Sequence, residues 1–364
     1  MSNIRIDTLT PVHIGSGNFL QNNLEFIVTE NSENELYVID ERKILDLIGA
    51  ENINNWLLSI ERGEPTQALV KRYSPTSTPQ DYSLRSALCF ANNIKPKETL
   101  KEIMYNGLGL PYIPGSSIKG AIRTAVTASL ANLVDNKEGK INAKKATSKE
   151  VEKELFGNSP NTDIFRFVRV GDAYFSSRSV IAMRMVNLNI THKESVWDTS
   201  KSQIIEAIGG EVSSHFQLHI ARKYYDWGSK KDSKLGKLPP EMYSLADLFM
   251  LINTHTQQLV EDEIKYWSEL DKINADIYVD SMKEILEQIK CCVKGKSCVL
   301  RIGHASGWRF ITGAWTESLS NFKSKVLNDS RPNNVRYQEY DFPKTRRVDD
   351  DSELVGFVKL TIEN

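Results

Sequence analysis

The chain has 364 residues, which is long enough for two or three domains with cores of their own. Its 40% hydrophobic and 26% charged content is typical of a globular protein, and excludes a low-complexity or disordered chain. Because 46 Lys and Arg face 47 Asp and Glu, the net charge is −1, so any surface for a polyanion must be a local patch.

The first part of the chain predicts a strand, a glycine turn, a hairpin and a helix. Residues 3–9 alternate apolar and polar side chains as a half-buried strand does, and HIGSG at 13–17 follows as a turn. Two further runs, LEFIVTE and ELYVIDE, are separated by a polar Asn/Ser turn and predict a hairpin. Residues 43–60 have the apolar spacing of a helix.

The segment PYIPGSSIKGAIRTA at 111–125 predicts a helix with a marked N-terminus. Its two prolines keep the preceding chain extended, and Ser116 or Ser117 can cap the first turn. Apolar residues at helical spacing form one stripe, which we expect to face the core. The opposite side of the helix carries Ser116, Lys119, Gly120 and Arg123.

The second half of the chain repeats the pattern of strands and helices. Residues 165–175 alternate as a strand, whereas 183–202 have no clear period and predict an insertion near a domain boundary. Residues 203–221 predict a hairpin that turns at Gly209-Gly210. Two helical segments, a glycine-bearing loop at 301–310 and a closing strand at 353–363 follow.

Both halves therefore combine a hairpin with helices. This order predicts an α+β fold of two domains of the split β-α-β type, each a helix-backed antiparallel sheet, over residues 1–185 and 186–364.

Neither a metal nor a cofactor is expected. Four cysteines are too few for a disulfide framework, and three of them with His304 lack the paired CxxC spacing of a zinc site. The pair His215 and His219 has no adjacent glutamate and lies in a strand-like run. The N-terminus becomes polar too early for a signal peptide and no apolar run could span a membrane, so we expect a cytoplasmic protein.

The glycines at 115–120 do not form a nucleotide-binding loop. A P-loop needs its lysine directly after the second glycine, whereas Lys119 precedes Gly120. What remains is a helix N-terminus with Lys119 and Arg123 one turn apart, which can attract a phosphate. A capped core helix with two solvated basic residues is the alternative, and both interpretations stay open on these residues alone.

Two other glycine-bearing loops favour a polymer as the anion. HIGSG at 13–17 and RIGHASGWRF at 301–310 combine flexible glycines with histidine, serine or arginine donors. Trp308 offers a stacking face for a base, or is buried in the core as most tryptophans are. Three such segments in one chain favour RNA.

These segments also resemble a known family. TPVHIGSG, YIPGSSIKGAIRTA, the GHASGW loop and FPKTRR at 342–347 together resemble the RAMP superfamily of CRISPR proteins, over nearly the full chain. The nearest likeness is to the type III-A (Csm) subunits that cap the 3′ end of the guide RNA. The resemblance implies two tandem ferredoxin-like (RRM-like) domains with glycine-rich loops and insertions. It implies guide RNA, target RNA and other Csm subunits as partners, especially the repeated backbone RAMP subunit, with a host trimming nuclease as a further candidate and no membrane.

The expected RNA-binding residues lie in four segments. They are His13, Gly15, Ser16 and Gly17; Gly115, Ser116, Ser117, Lys119, Gly120 and Arg123; Gly303, His304, Ser306, Gly307, Trp308 and Arg309; and Lys344, Arg346 and Arg347.

We expect no catalytic residue. The resemblance implies a non-catalytic subunit, because the backbone subunit of such a complex cuts target RNA with an acidic loop residue and NFLQNN after Gly17 has no aspartate. The alternative is a metal-independent endoribonuclease that processes guide RNA precursor, with His13 and His304 as general acid and base.

Overall fold

The structure, a computed structural model, describes residues 2–29, 34–140, 149–327 and 339–363. The strands are β1 (Ser2–Thr8), β2 (Gly15–Gln21), β3 (Phe26–Thr29), β4 (Glu35–Ile39), β5 (Ser83–Cys89), β6 (Thr99–Ile103), β7 (Tyr112–Ile113), β8 (Val168–Val170), β9 (Ala173–Tyr174), β10 (Val180–Asn189), β11 (Trp197–Ile208), β12 (Ser213–Ile220), β13 (Ser297–Arg301), β14 (Thr345–Asp349) and β15 (Phe357–Glu363). The helices are α1 (Glu41–Ile48), α2 (Ile53–Glu61), α3 (Thr66–Tyr73), α4 (Gly115–Leu130), α5 (Lys149–Phe156), α6 (Arg222–Ser229), α7 (Leu245–Ser268) and α8 (Ala275–Lys290).

One sheet joins the two ends of the chain. Its five strands lie antiparallel in the order β13-β15-β1-β12-β8. Alternate residues of β1 and β12, among them Ile4 and Phe216, are buried in a core to which α4 and α7 contribute. Along the chain, β1, α4, β8, β12, α7 and β15 follow the split β-α-β order of strands and helices.

The second large sheet has eight strands. Its order is β2-β6-β11-β10-β5-β4-β3, with β14 also paired to β10. The β6–β11 and β10–β5 pairs are parallel and the other pairs are antiparallel. Strands β3 and β4 pack against α1 and α3. Ala305 and Val355 cover Met183, Met185 and Ile205 on β10 and β11. The chain therefore has a mixed α/β fold of helices and two main sheets.

Residues 180–208 are not an insertion, contrary to the sequence prediction. They form β10 and β11, the two longest strands of the eight-stranded sheet. Most of β10 is buried, because neighbouring segments cover both faces of the strand, so its sequence lacks the alternation of a half-buried strand. The polar run at the start of β11 is simply its exposed end.

The predicted hairpin at 203–221 is also wrong. Strand β11 belongs to the eight-stranded sheet and β12 to the five-stranded sheet, so the segment between them links two sheets. The left-handed residue there is Glu211, with φ 61°, rather than either glycine. Each large sheet takes strands from both sides of the predicted boundary at residue 185, and the division into two domains stays a prediction.

Other elements agree with the sequence more closely. Strands β3 and β4 pair antiparallel as the predicted hairpin, and α7, α8 and β15 lie where helices and a closing strand are expected. The predicted helix at 43–60 is broken at Gly49, whose φ of 83° ends α1 before α2 begins. The predicted strand at 165–175 is interrupted after Val170.

A buried ionic cluster ties α7 to β14. The carboxylate of Glu263 accepts hydrogen bonds from Arg346 at 2.6 and 2.8 Å and from the Tyr278 hydroxyl at 2.7 Å. Arg309 makes a further ion pair with the same carboxylate. Burial alone would favour the neutral acid, but the two guanidinium groups outweigh it and hold the pKa of Glu263 at about 2.

Glu263→Gln should lower the free energy of unfolding by about 3–5 kcal/mol at neutral pH, because the buried Arg346 loses its counter-charge and Arg309 keeps only Glu317. Since the pKa of Glu263 is depressed from 4.5 in the folded state, its stabilising effect is present above that pH and is lost as the pH falls towards 2. Urea unfolding at several pH values measures both effects. The exposed Glu284 on α8 provides the control Glu284→Gln, which should change stability by less than about 0.5 kcal/mol. Equal losses in the two variants would contradict the role of the cluster.

Candidate nucleic-acid interface

The first glycine segment is anchored rather than free. His13 is 3% exposed, and its Nδ1 donates to the Glu206 carbonyl at 2.6 Å. Burial lowers the pKa of His13, so the ring is neutral with its proton on Nδ1. The predicted turn already contains the start of β2, since Gly15 pairs with Ile103. The buried ring offers no face to RNA in this structure, and His13 as a contact residue stays a prediction.

The 301–310 loop packs directly on this segment. Gly303 has φ 87°, and a Cβ there would lie 2.5 Å from the His13 carbonyl oxygen. The same oxygen accepts a hydrogen bond from the His304 amide at 3.0 Å. The buried Ser306 donates its hydroxyl to the Gly303 carbonyl at 2.6 Å and closes the turn. Two of the predicted motifs therefore meet, and Gly303 and Ser306 take part in that contact.

His304 is the exposed tip of this loop and lies between two cations. Its Nε2 accepts from Lys101 Nζ at 3.3 Å and from the Arg347 guanidinium. Burial, together with Arg347 and Lys101, lowers the pKa of His304 to about 4, so the imidazole is neutral at physiological pH. We call Lys101, His304 and Arg347 the cation cluster.

Sheet geometry explains why the cation cluster forms. Lys101 on β6 is paired with Ile205 on β11, and Arg347 on β14 is paired with Asn187 on β10. Strands β6, β11, β10 and β14 follow one another across the eight-stranded sheet. The Lys101 Nζ also lies 5.5 Å from the ring centre of Phe19, which is 56% exposed. Partly exposed cations beside an open aromatic face are the components of a surface for single-stranded RNA.

The start of the segment at 111–125 packs helix α4 against the five-stranded sheet. Helix α4 begins at Gly115 with Pro114 as the N-cap, so neither Ser116 nor Ser117 caps it, contrary to the prediction. The Gly115 amide donates to the Asp172 carboxylate at 2.7 Å. A Cβ on Gly115 would lie 2.4 Å from the Val170 carbonyl oxygen, so this glycine allows α4 to pack against β8.

Arg123 is held by the protein, and the expectation of an exposed side chain is wrong. It pairs with Glu152 at 3.2 Å and Asp163 at 2.9 Å, and lies 4.4 Å from the ring centre of Phe156. Lys119 is half-buried close to Asp163, which partly offsets the lowering of its pKa by burial. Ser116 and Gly120 are exposed, and outside its own helix no described residue lies within 4 Å of a Cβ placed on Gly120.

The other predicted contacts near residues 301–347 are mostly structural. Trp308 is half-buried with its ring centre 5.1 Å from that of Phe342, which favours the core interpretation. Arg309 pairs with Glu317 at 2.9 Å in addition to Glu263. Arg346 is buried against Glu263, so both arginines are already paired with carboxylates of the protein.

The remaining predicted residues have different surroundings. Ser16 donates to the Glu102 carboxylate at 3.0 Å, and Gly17 and Gly307 have positive φ and, their chain neighbours aside, no described residue within 4 Å of a Cβ placed on them. The Lys344 carbonyl accepts from the Ile190 amide at 3.0 Å just before β14. Of the nineteen predicted residues, His304 and Arg347 are the two that join Lys101, a residue that the sequence did not indicate.

The histidines and cysteines considered as metal ligands have other surroundings. His215 pairs with Glu363 at 3.0 Å, Cys298 is buried and Cys291 is exposed. Among the described residues, no group of three or more His, Cys, Asp or Glu side chains could hold a metal ion. In the same part of the chain, no helix has both the length and the apolar character to cross a membrane.

Comparison with known proteins identifies the superfamily to which the chain belongs. The RAMP superfamily matches residues 5–303, and the chain belongs to this superfamily. A curated relative, the CRISPR system protein Csm5 of Methanocaldococcus jannaschii, is 26% identical over 190 residues. That alignment covers 47% of this chain and 42% of the relative, so less than half of either protein is compared.

Two solved structures resemble the whole chain. A chain in the cryo-EM structure of a Csm-crRNA-target RNA ternary complex of a type III-A CRISPR-Cas system has a TM-score of 0.73 at 19% identity, and the match covers 100% of both chains. The crystal structure of Csm5 from T. onnurineus has a TM-score of 0.69 at 19% identity, covering 97% of this chain and 99% of the other. The predicted resemblance to RAMP proteins of the Csm5 type is confirmed.

Gly303 and Gly307, two glycines of one loop, allow a matched test of the contact between the 301–310 loop and the His13 segment. Gly307→Ala should cost about 1–3 kcal/mol, because φ 74° with ψ 176° is a conformation that almost only glycine adopts, while the space is open. Gly303→Ala should cost more, because its Cβ also meets the His13 backbone. Thermal denaturation measures both. Equal losses would show that the loop does not depend on the close approach at Gly303.

Proposed function

We propose that this chain is a non-catalytic, RNA-binding subunit of a type III-A (Csm) CRISPR effector that caps the 3′ end of the guide RNA. The observation that carries the proposal is the convergence of HIGSG, GHASG and TRR at the cation cluster beside the exposed Phe19. The likeness of the whole chain to one in a Csm-crRNA-target RNA complex supports it. In this role the chain supports maturation of the guide and recognition of target RNA.

The chemistry of the cation cluster suits a phosphate. Lys101 and Arg347 both direct donors at one neutral nitrogen of His304, which accepts them weakly compared with an anionic oxygen. The pKa of Lys101 is lowered by burial and by Arg347, so the two cations repel each other until an anion binds between them. A phosphate oxygen can replace His304 as their acceptor, and Phe19 then offers a face to the adjoining base.

The proposed partners follow from this role. They are guide RNA, target RNA, other Csm subunits and above all the repeated backbone RAMP subunit, with a host trimming nuclease as a candidate, in the cytoplasm and away from membranes. The split β-α-β order of the five-stranded sheet supports one ferredoxin-like unit, and we propose that the eight-stranded sheet derives from the second.

Replacing both cations, Lys101→Gln with Arg347→Gln, should weaken binding of single-stranded RNA. The slope of log affinity against log salt should fall in magnitude by about 0.7 for each lost phosphate contact. Fluorescence anisotropy with a labelled guide RNA at several salt concentrations measures affinity and slope. In reconstituted complexes, the same variant should leave the guide 3′ end more open to an exonuclease.

The control removes two exposed lysines of α8, Lys283→Gln with Lys290→Gln, which changes net charge by the same amount away from the cation cluster. This control should keep the affinity and the salt slope. If both double variants behave alike, the cation cluster does not hold RNA.

The alternative function is a metal-independent endoribonuclease. One observation favours it: the His13 and His304 ring centres are 5.8 Å apart, with Lys101 beside them. General acid catalysis, however, needs an imidazolium that can protonate the leaving oxygen. The pKa of each histidine is lowered, that of His304 to about 4, so neither ring supplies a proton efficiently at neutral pH.

Purified protein should therefore leave a 5′-labelled guide precursor uncut at pH 7.5 in the presence of a chelator. The result should be the same for wild type and for His304→Ala, assayed by denaturing gel electrophoresis. Because protonation of His304 increases as the pH falls towards 4, a histidine-catalysed reaction would accelerate on acidification. Cleavage that His304→Ala abolishes would establish the endoribonuclease instead.

A further inference from the structure

A second surface, remote in sequence from the glycine motifs, exposes large aromatic rings. Helix α6 carries Tyr224 and Trp227 one turn apart, with 63% and 62% of their surface exposed. Tyr225 lies on the opposite side, where its hydroxyl accepts from the Leu238 amide at 2.9 Å and its ring packs on Phe167. Exposure of this kind is unusual for tryptophan, which proteins bury when they can.

Each exposed ring has a cation beside it. The Arg169 guanidinium lies 5.5 Å from the ring centre of Tyr224, and Lys231 Nζ lies 4.1 Å from that of Trp227. Lys223 and Lys230 are exposed next to these rings. More than half of each ring still faces solvent, so the contacts with the cations leave room for a planar group to stack. We call Tyr224, Trp227, Arg169, Lys223 and Lys231 the α6 platform.

The local charge selects an anionic ligand. Residues 222–237 contain six Lys and Arg against two Asp, a net charge of +4 in a chain whose total is −1. The remaining 348 residues therefore carry −5, so the positive charge is concentrated on this segment. Aromatic rings that alternate with lysines along one surface match the repeat of bases and phosphates in a single strand.

We propose that the α6 platform binds single-stranded RNA, as a site separate from the cation cluster. Bases stack on Tyr224 and Trp227, while Arg169, Lys223 and Lys231 contact the phosphates between them. Stacking recognises any base, so the platform holds RNA without sequence preference. The inference shares the RNA-binding role of the proposed function but uses none of its residues.

Tryptophan fluorescence reports on this contact directly. All six tryptophans lie in the described ranges, and Trp227 is the one whose ring is exposed there, while the others are buried or half-buried. Adding a 20-nucleotide oligouridylate to the full chain should quench the emission of Trp227. Trp227→Phe should bind with affinity within about twofold of wild type, because phenylalanine still stacks, and should lose the quenching.

Anisotropy with the same labelled oligouridylate measures the energetic contribution. Tyr224→Ala with Trp227→Ala should weaken binding at least about tenfold, as expected for the loss of stacking on two rings. Lys223→Gln with Lys231→Gln should reduce the salt slope by about 0.7 per lost contact. The controls are Tyr73→Ala on α3, which removes another partly exposed ring, and the α8 double variant; neither should change affinity.

The outcomes separate this proposal from the previous one. If the α6 platform variants lose affinity while the Lys101/Arg347 variant does not, the platform is supported as an RNA site and the cation cluster is not. If only the Lys101/Arg347 variant loses affinity, the α6 platform proposal is overturned. Equal binding of the oligouridylate alone and of its duplex with oligoadenylate would also overturn it, since paired bases cannot stack on a ring. Platform variants that bind RNA normally but fail to assemble with the other Csm subunits would identify a protein-docking face instead.

Discussion

The close approach of Gly303 to the His13 carbonyl is the constraint on which the candidate site depends. It admits no side chain at 303, and it holds the His304 amide on the same oxygen. Two further hydrogen bonds extend this contact, from the Gly356 amide to Pro11 and from the Ile302 amide to Gly356, each 2.8 Å long. Segments from the beginning and the end of the chain thereby lock together, and His304 is placed between Lys101 and Arg347.

Alternation along one strand separates structural charge from charge that is available to a ligand. Arg346 and Arg347 are neighbours on β14, and their side chains point to opposite faces of the sheet. Arg346 is buried against Glu263, where it neutralises a carboxylate that would otherwise be costly to enclose. Arg347 reaches His304, whose neutral nitrogen is a weaker acceptor than a carboxylate. The same residue type thus stabilises the fold at one position and offers a phosphate contact at the next.

A nearly neutral chain can hold RNA only if its cations are concentrated. The cation cluster gathers residues from three distant segments, whereas the α6 platform draws most of its charge from one continuous segment. In both places an exposed aromatic ring accompanies the cations, so that attraction for phosphate is combined with a face for a base. Arg123 shows the contrast, because two carboxylates already neutralise it.

The sequence by itself determined what depends on local pattern. Alternation and helical spacing located β1, the β3–β4 hairpin, α7, α8 and β15, and the glycine motifs identified the superfamily. The prediction from sequence was wrong where burial on both faces of a strand changes the pattern, as in β10. It was also wrong where a turn joins two sheets, as after β11.

Only the tertiary structure decided which polar residues are available to a ligand. The sequence predicted Arg123, Arg309 and Arg346 as RNA contacts, but each has a carboxylate partner at least 40 positions away, and sequence spacing carries no information on such partners. Lys101 was overlooked for the same reason, since its role depends on His304, 203 positions away. Proximity across the fold, set by sheet order and by the space at Gly303, distinguishes a structural ion pair from a site that can bind RNA.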